Sequence, residues 1–244
     1  MRKVRLMIKN DRIVLGENIL ITGQDFDYLT KVMRSKIDDE IEIFNGNCGD
    51  FMSKVTKMAK KGLVLEVFKQ IKTQELPSNI CLAFAPVKNV KSQFIAQKAT
   101  ELNVSRVQPI ITNHSVIDSI NSSKLEISIN EACEQCETNS IATLSPIIKL
   151  EDLLKSDGIV DKILILCDES NNGQKASEIL PQILKNRSEN QEVMIFIGPE
   201  GGFSAKEFEE FYKLENLTSI SLGKRTLRAD TAIISGLSLV GEFL

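Results

Sequence analysis

The chain has 244 residues, 42% of them hydrophobic and 26% charged, with a formal net charge of −3. That length supports one large or two modest cores, and no apolar run approaches the roughly 20 residues that a membrane span needs. The weak negative charge argues against indiscriminate polyanion binding, and Cys48, Cys81, Cys133, Cys136 and Cys167 are spaced too irregularly for a disulfide framework.

The amino-terminal stretch is basic (Arg2, Lys3, Arg5, Lys9, Arg12) but has no sustained apolar segment, so it does not read as a secretory signal and a cytoplasmic location is expected. Short β-type runs follow at Arg12 to Leu15, Asn18 to Thr22, Glu40 to Phe44, Asp50 to Thr56 and Leu63 to Ile71, with a turn at Asn45-Gly-Asn47. Phe26, Leu29 and Met33 predict one helix from about Asp25 to Arg34. This part reads as a small barrel. A second basic group, Lys54, Lys57, Lys60 and Lys61, suits either a solvated hairpin or a nucleic-acid face. The polar segment Lys72 to Asn79 separates two patterns, which sets expected domains at 1–72 and 73–244.

Beyond that boundary, strand and helix alternate. Strands are expected at Ile80 to Ala85, Val104 to Ile111, Lys162 to Cys167, Glu192 to Ile197 and Thr218 to Leu222. Helices are expected at Lys88 to Leu102, Lys124 to Glu137, 174–185, Ser204 to Leu214 and from about Asp230 onward. Ser204 and Glu207 have the spacing of a capping box. The fold class is α/β, with a mostly parallel sheet covered on both faces.

Two loops carry the chemistry. After an apolar run, Ile197-Gly-Pro-Glu-Gly-Gly-Phe203 leaves backbone amides bare at Gly198, Gly201 and Gly202, where a polar ligand can approach closely. Leu222-Gly-Lys-Arg-Thr-Leu-Arg-Ala-Asp-Thr231 follows the next apolar run, so the two loops are expected to share one pocket. Neither is a phosphate-binding P-loop or a dinucleotide fingerprint. Cys133 and Cys136 lack a second pair and His114 is the single histidine, so zinc would lack ligands and the cysteines read as packing. His114, in the loop Thr112 to Ser115, reads as a satisfied or exposed histidine rather than a triad member. Glu101 and Glu134 read equally as helix surface or as site acids.

These two loops, with Gln97-Lys-Ala-Thr-Glu-Leu-Asn-Val104, Glu131-Ala-Cys-Glu-Gln135, Tyr28 to Arg34 and Asp39 to Gly46, resemble the RsmE family of 16S ribosomal RNA uridine-N3 methyltransferases, of the SPOUT class. The resemblance spans nearly the whole chain. It implies a PUA-like β-barrel for RNA, then a SPOUT domain with a trefoil knot, acting as a homodimer with S-adenosylmethionine and no metal on 16S ribosomal RNA of the small subunit. By position, the cofactor is expected at Cys167 and Asp168, at Ile197, Gly198, Pro199, Glu200, Gly201 and Gly202, and at Ser221, Leu222, Gly223, Thr226, Leu227 and Thr231. Small residues Ala229, Ala232, Ser235 and Gly236 would let the last helix pass close beneath a loop.

For catalysis the resemblance points to Arg228 for charge stabilisation or base placement, with Glu200 or Asp230 accepting the N3 proton and Asp230 alternatively capping the last helix. RNA contacts are expected from Arg2, Arg5, Arg34, Lys88 and Lys98. His114 and Thr138 stand where the family commonly has arginine, and Asp230 replaces a more usual glutamate; these departures bear on RNA contacts more than on the cofactor. Two other functions fit the same fold: a non-catalytic ribosomal RNA-binding assembly factor, and a metabolic enzyme using another adenine-containing ligand.

Overall fold

The computed structural model describes residues 4–168, 173–185 and 187–244. The chain forms two compact units, Met1–Leu76 with Cys133–Ile141, and Pro77–Ala132 with Ala142–Leu244. A division at 72/73 leaves Cys133–Ile141 with the second segment, whereas these residues cluster with the first.

In the first unit, β1 (Arg5–Met7), β2 (Asn18–Thr22), β3 (Glu40–Phe44), β4 (Asp50–Ala59) and β5 (Gly62–Lys72) form one sheet in the order β1-β3-β4-β5-β2. Only β1 and β3 run parallel; the other neighbours are antiparallel. Every strand sends alternate apolar residues, among them Leu6, Ile19, Ile43, Val55 and Leu65, into a single core. Helix α1 (Gly23–Asp27) widens into a π-turn at Tyr28–Val32, where the Met33 amide reaches back five residues to the Tyr28 carbonyl at 3.0 Å. Arg34 then takes a left-handed φ of 58°, which ends the helix and leaves its side chain exposed.

Two expectations for this unit need correction. Residues Arg12 to Leu15 are not a strand: Val14 and Leu15 are both exposed, so the run has no alternation and stops at Gly16, whose φ is 81°. The strand lies earlier, at β1, hidden from pattern reading because Arg5, on the face opposite the core residue Leu6, is itself buried. That guanidinium donates to Glu42 at 2.7 Å, to Asp50 at 3.0 Å, and to the carbonyls of Cys133 and Thr138, while resting 3.8 Å from the centre of the Phe44 ring. With its donors committed inside and its side chain 3% exposed, Arg5 is not available to an RNA phosphate. Arg2 lies outside the described residues.

The second unit contains β6 (Ile80–Phe84), α2 (Ser92–Glu101), β7 (Arg106–Ile111), α3 (Ser122–Cys136, its end in the first unit), β8 (Thr143–Leu144), β9 (Ile148–Lys149), α4 (Leu150–Leu154) and β10 (Ile163–Cys167). It continues with β11 (Gln174–Lys175), α5 (Ala176–Leu184), β12 (Val193–Ile197), α6 (Ala205–Phe211), β13 (Leu217–Ser221) and α7 (Ala229–Gly241). The sheet order is β11-β13-β10-β12-β6-β7-β8, with β9 pairing the far end of β7, and all of these pairs are parallel. β6 and β12 are buried at every position, which accounts for their unbroken apolar runs: both faces are covered. The chain leaves β12 through α6 and enters β13 on the other side of β10, and α7 then packs against α2, α5 and β12.

Helix α2 begins at Ser92 rather than Lys88, because Lys88 and Asn89 form a turn after β6. Helix α7 begins at Ala229 with Arg228 as its N-cap residue; Asp230 sits inside the first turn and does not cap it. The short strands β8, β9 and β11 and helix α4 carry too few residues to show a period.

Candidate active site

Strands β10, β12 and β13 are neighbours, and parallel pairing puts their carboxyl ends on one edge of the sheet, the edge where ligands of open α/β sheets bind. A cavity of about 280 Å³ opens there. Cys167 and Asp168 at the end of β10, Ile197, Gly198, Pro199, Glu200 and Gly202 after β12, and Leu222, Gly223, Thr226, Leu227 and Arg228 after β13 line it. The structure therefore brings together the three segments that the sequence pointed to. Arg225, Ala229 and Ala232 line it as well. In the sequence the two alanines stand out only by their size, and Arg225 has no signal beyond its place in the loop.

Gly201, Ser221 and Thr231 do not line this cavity. A side chain added at Gly201 would meet His114 Cβ at 3.3 Å, so that glycine faces the Thr112–Ser115 loop instead. Ser221 is turned into its own loop, its hydroxyl 3.3 Å from both the amide and the carbonyl oxygen of Gly223. Thr231 donates its backbone amide to Asp230 Oδ1 at 2.8 Å.

Several local devices fix the glycine loop. Gly202 adopts a φ of 65°, a conformation that glycine takes without strain. An added Cβ at Gly198 would lie 3.1 Å from the Phe203 ring, and Phe203 in turn packs edge-on against Phe208 and Phe211. The predicted capping box is present: Ser204 accepts the Glu207 amide, and Glu207 accepts the Ser204 amide at 2.7 Å. Asn113 donates its amide to Glu207 and its carboxamide to Ser204, at 2.8 and 2.7 Å. His114 Nδ1 stands 2.9 and 3.1 Å from the carbonyl oxygens of Gly201 and Gly202. Carbonyls only accept, so Nδ1 carries the proton, and the histidine works as a staple for the loop.

Under the cavity, α7 approaches β10 closely. An added Cβ at Gly236 would meet Cys167 Sγ at 3.1 Å. Asp168 is buried and accepts from Ser219 at 3.1 Å and from Tyr212 at 3.4 Å.

A second cavity, about 510 Å³, adjoins the first and shares Glu200, Arg228 and Ala229 with it; Asn89, Val90 and Asp230 complete its lining. Asn89 donates to Glu200 Oε1 at 3.2 Å. The Arg228 guanidinium is exposed and makes no ion pair among the described residues. All three candidate catalytic residues thus border this second cavity, with Glu200 and Arg228 facing both.

The remaining candidates divide by environment. Lys88 is exposed on the turn after β6, beside Asn89. Lys98 spends its charge locally, 2.7 Å from both oxygens of Glu101. Glu134 accepts the Met7 amide at 2.9 Å, a structural role. Cys133 is buried, and burial pushes its thiol up to about 12; Cys136 is exposed and is not part of the packing.

A family profile described as an RNA methyltransferase domain matches residues 74–241, and one described as an RNA methyltransferase PUA domain matches residues 21–68. The chain is 30% identical to the ribosomal RNA small subunit methyltransferase E of Rickettsia conorii, over 95% of this chain and 92% of that one. The protein of the same name from Buchnera aphidicola of Acyrthosiphon pisum is also 30% identical, over 99% and 96%. Among solved structures, a methyltransferase from Legionella pneumophila in complex with the bound cofactor SAM superposes with a TM-score of 0.85 at 25% identity, covering 99% of this chain and 98% of that one.

Proposed function

The chain belongs to the ribosomal RNA small subunit methyltransferase E family of RNA methyltransferases, and from that premise we propose that it transfers a methyl group from S-adenosylmethionine to N3 of a uridine in 16S ribosomal RNA of the small subunit. The observation that carries this reading is the pair of adjoining cavities: one ringed by bare backbone at the ends of three parallel strands, the other sharing Glu200 and Arg228 with it.

The first cavity suits S-adenosylmethionine. Ile197, Leu222 and Leu227 offer apolar faces to an adenine, and Gly223 in the same lining takes a φ of 127°, a conformation that favours glycine. The nearby Legionella relative was solved with this cofactor bound. When bound, the cofactor supplies a methyl carbon made electrophilic by a positively charged sulfur, so the chain itself has no need of a metal. What the protein contributes is at the base. Uracil N3 is a poor nucleophile until its proton leaves; Glu200 or Asp230 accepts that proton, and Arg228 stabilises the charge that spreads onto the carbonyl oxygens. N3 lies on the pairing edge, so the target base must be unpaired or drawn from its stack.

Exposed Arg34, Lys57, Lys60 and Lys61 in the first unit, and Lys88 in the second, are among the side chains suited to hold phosphates. The same reading includes a homodimer, a cytoplasmic location and a knotted carboxyl terminus. For the knot, the support is that the chain crosses β10 between β12 and β13, after which α7 returns to pack on β12.

Nucleoside mass spectrometry of 16S ribosomal RNA from cells with and without the gene tests the assignment. Loss of one N3-methyluridine is expected, and restoration by the purified protein with S-adenosylmethionine completes the test. An unchanged nucleoside profile, with RNA affinity but no calorimetric affinity for S-adenosylmethionine, would identify a binding factor instead.

A further inference from the structure

The second cavity is lined by groups whose hydrogen-bonding pattern matches one base. The pairing edge of uracil presents an acceptor, a donor and an acceptor: O4, N3–H and O2. That of cytosine presents a donor, an acceptor and an acceptor, with a lone pair at N3. Complementing uracil takes a carboxylate between two donors.

Around the cavity, Glu200 is the one acid, among the described residues, that borders both cavities; Asp168 borders only the first and Asp230 only the second. Asp230 Oδ1 already accepts the Thr231 amide at 2.8 Å. Glu200 is held by Asn89, whose carboxamide donates one hydrogen to Oε1 at 3.2 Å and keeps the other for a ligand. Arg228 supplies donors from the start of α7. Asn89 lies on the exposed turn between β6 and α2, with no place in the hydrophobic core, so its side chain is free to serve the cavity.

We propose that Asn89 is a positioning and specificity-determining residue: it orients Glu200 as the acceptor of the N3 proton and, together with Arg228, flanks that carboxylate with donors for O2 and O4, so that the second cavity reads uracil and rejects cytosine. The inference rests on the methyl transfer proposed above. In the step it serves, the N3–H bond breaks and its proton passes to Glu200. The electron pair left on N3 forms the bond to the methyl carbon, and the electrons of the broken carbon–sulfur bond stay on sulfur, which becomes a neutral thioether. A cytosine in the same place would set its N3 lone pair against the Glu200 carboxylate and offer no proton to remove.

Asn89→Ala and Asn89→Gln test this alongside the wild type. Four quantities are read: kcat and KM on 16S ribosomal RNA, calorimetric affinity for S-adenosylmethionine, and affinity for short RNA oligonucleotides carrying either uridine or cytidine at the target position, measured with S-adenosylhomocysteine present. For Asn89→Ala, kcat should fall about 10- to 100-fold and the uridine-over-cytidine preference about 10-fold, with cofactor affinity unchanged. Asn89→Gln, which keeps the carboxamide, should recover part of both losses. An Asn89→Ala protein with wild-type kcat and preference would overturn the proposal. So would a loss of cofactor affinity that parallels the loss of kcat, since Asn89 would then only shape the first cavity. Absence of methyl transfer by the wild type to any uridine would instead defeat the underlying methyltransferase reading, while the oligonucleotide preference would still report on Asn89.

Discussion

Arg228 combines exposure with a position at the meeting of two cavities, and nothing in the hydrophobic core depends on it. Arg228→Ala is therefore expected to leave the melting temperature within about a degree or two, as for surface substitutions generally, while methyl transfer falls at least about 100-fold. Thermal melts and single-turnover assays check the two halves; full activity would remove this residue from the chemistry. Gly201 shows the limit of reading a glycine-rich loop as one ligand surface. Its neighbour is His114, so bulk introduced there would first disturb the staple between the Thr112–Ser115 loop and the Gly201 and Gly202 carbonyls. The sequence shows which backbone is bare. It does not show which way each bare segment turns, because that is decided by residues 87 positions away.

The parallel strands are secured at the end opposite the cavities. Arg106 at the start of β7 forms a two-bond pair with Glu192, 2.9 and 2.6 Å, just before β12, and Lys162 before β10 joins at 3.1 Å. Burial pushes the Glu192 carboxyl up, but the hydrogen bonds and charges of Arg106 and Lys162 outweigh it and hold the group below its usual 4.5. A carboxylate lowered in the folded state adds stability that is fully present above its unfolded value and is lost as pH falls through the folded one. Glu192→Gln should cost about 1–2 kcal/mol at about pH 7, with the gap to wild type narrowing as the pH falls below the ordinary 4.5 and through the lower folded value. Urea titrations across that range measure it, and a gap independent of pH would show that charge is not the cause. The long elements of this unit were legible in the sequence because unbroken apolar runs of five residues and helical spacing leave little choice. Strand β1 was not, because Arg5 is buried and inverts the rule that charge marks the surface.

The two-unit organisation follows from which parts of the chain supply missing hydrogen-bond partners. Asn139, fully buried, accepts the Glu75 amide at 2.7 Å and donates to the Thr73 carbonyl at 3.0 Å, while its own carbonyl accepts from Gln74 at 3.0 Å. Two of the Arg5 acceptors come from the same late segment. Residues 1–76 expressed alone should thus lack a cooperative melting transition, whereas a version carrying residues 133–141 on a flexible linker should regain one; a sharp transition in the bare fragment would refute this dependence. The boundary in the sequence was visible as a polar, proline-containing stretch. The return of Cys133–Ile141 was not, since a helix that continues from one unit into the other has no composition break to mark it.

The two carbonyls that Arg5 reaches lie 128 and 133 residues further along the chain. During translation the nascent amino terminus therefore emerges long before its anchors exist. A guanidinium and two carboxylates destined for the interior stay hydrated until Thr138 has cleared the exit tunnel. Until then the buried network around Arg5 lacks two of its acceptors, so the first unit cannot be completed by its own amino-terminal residues alone.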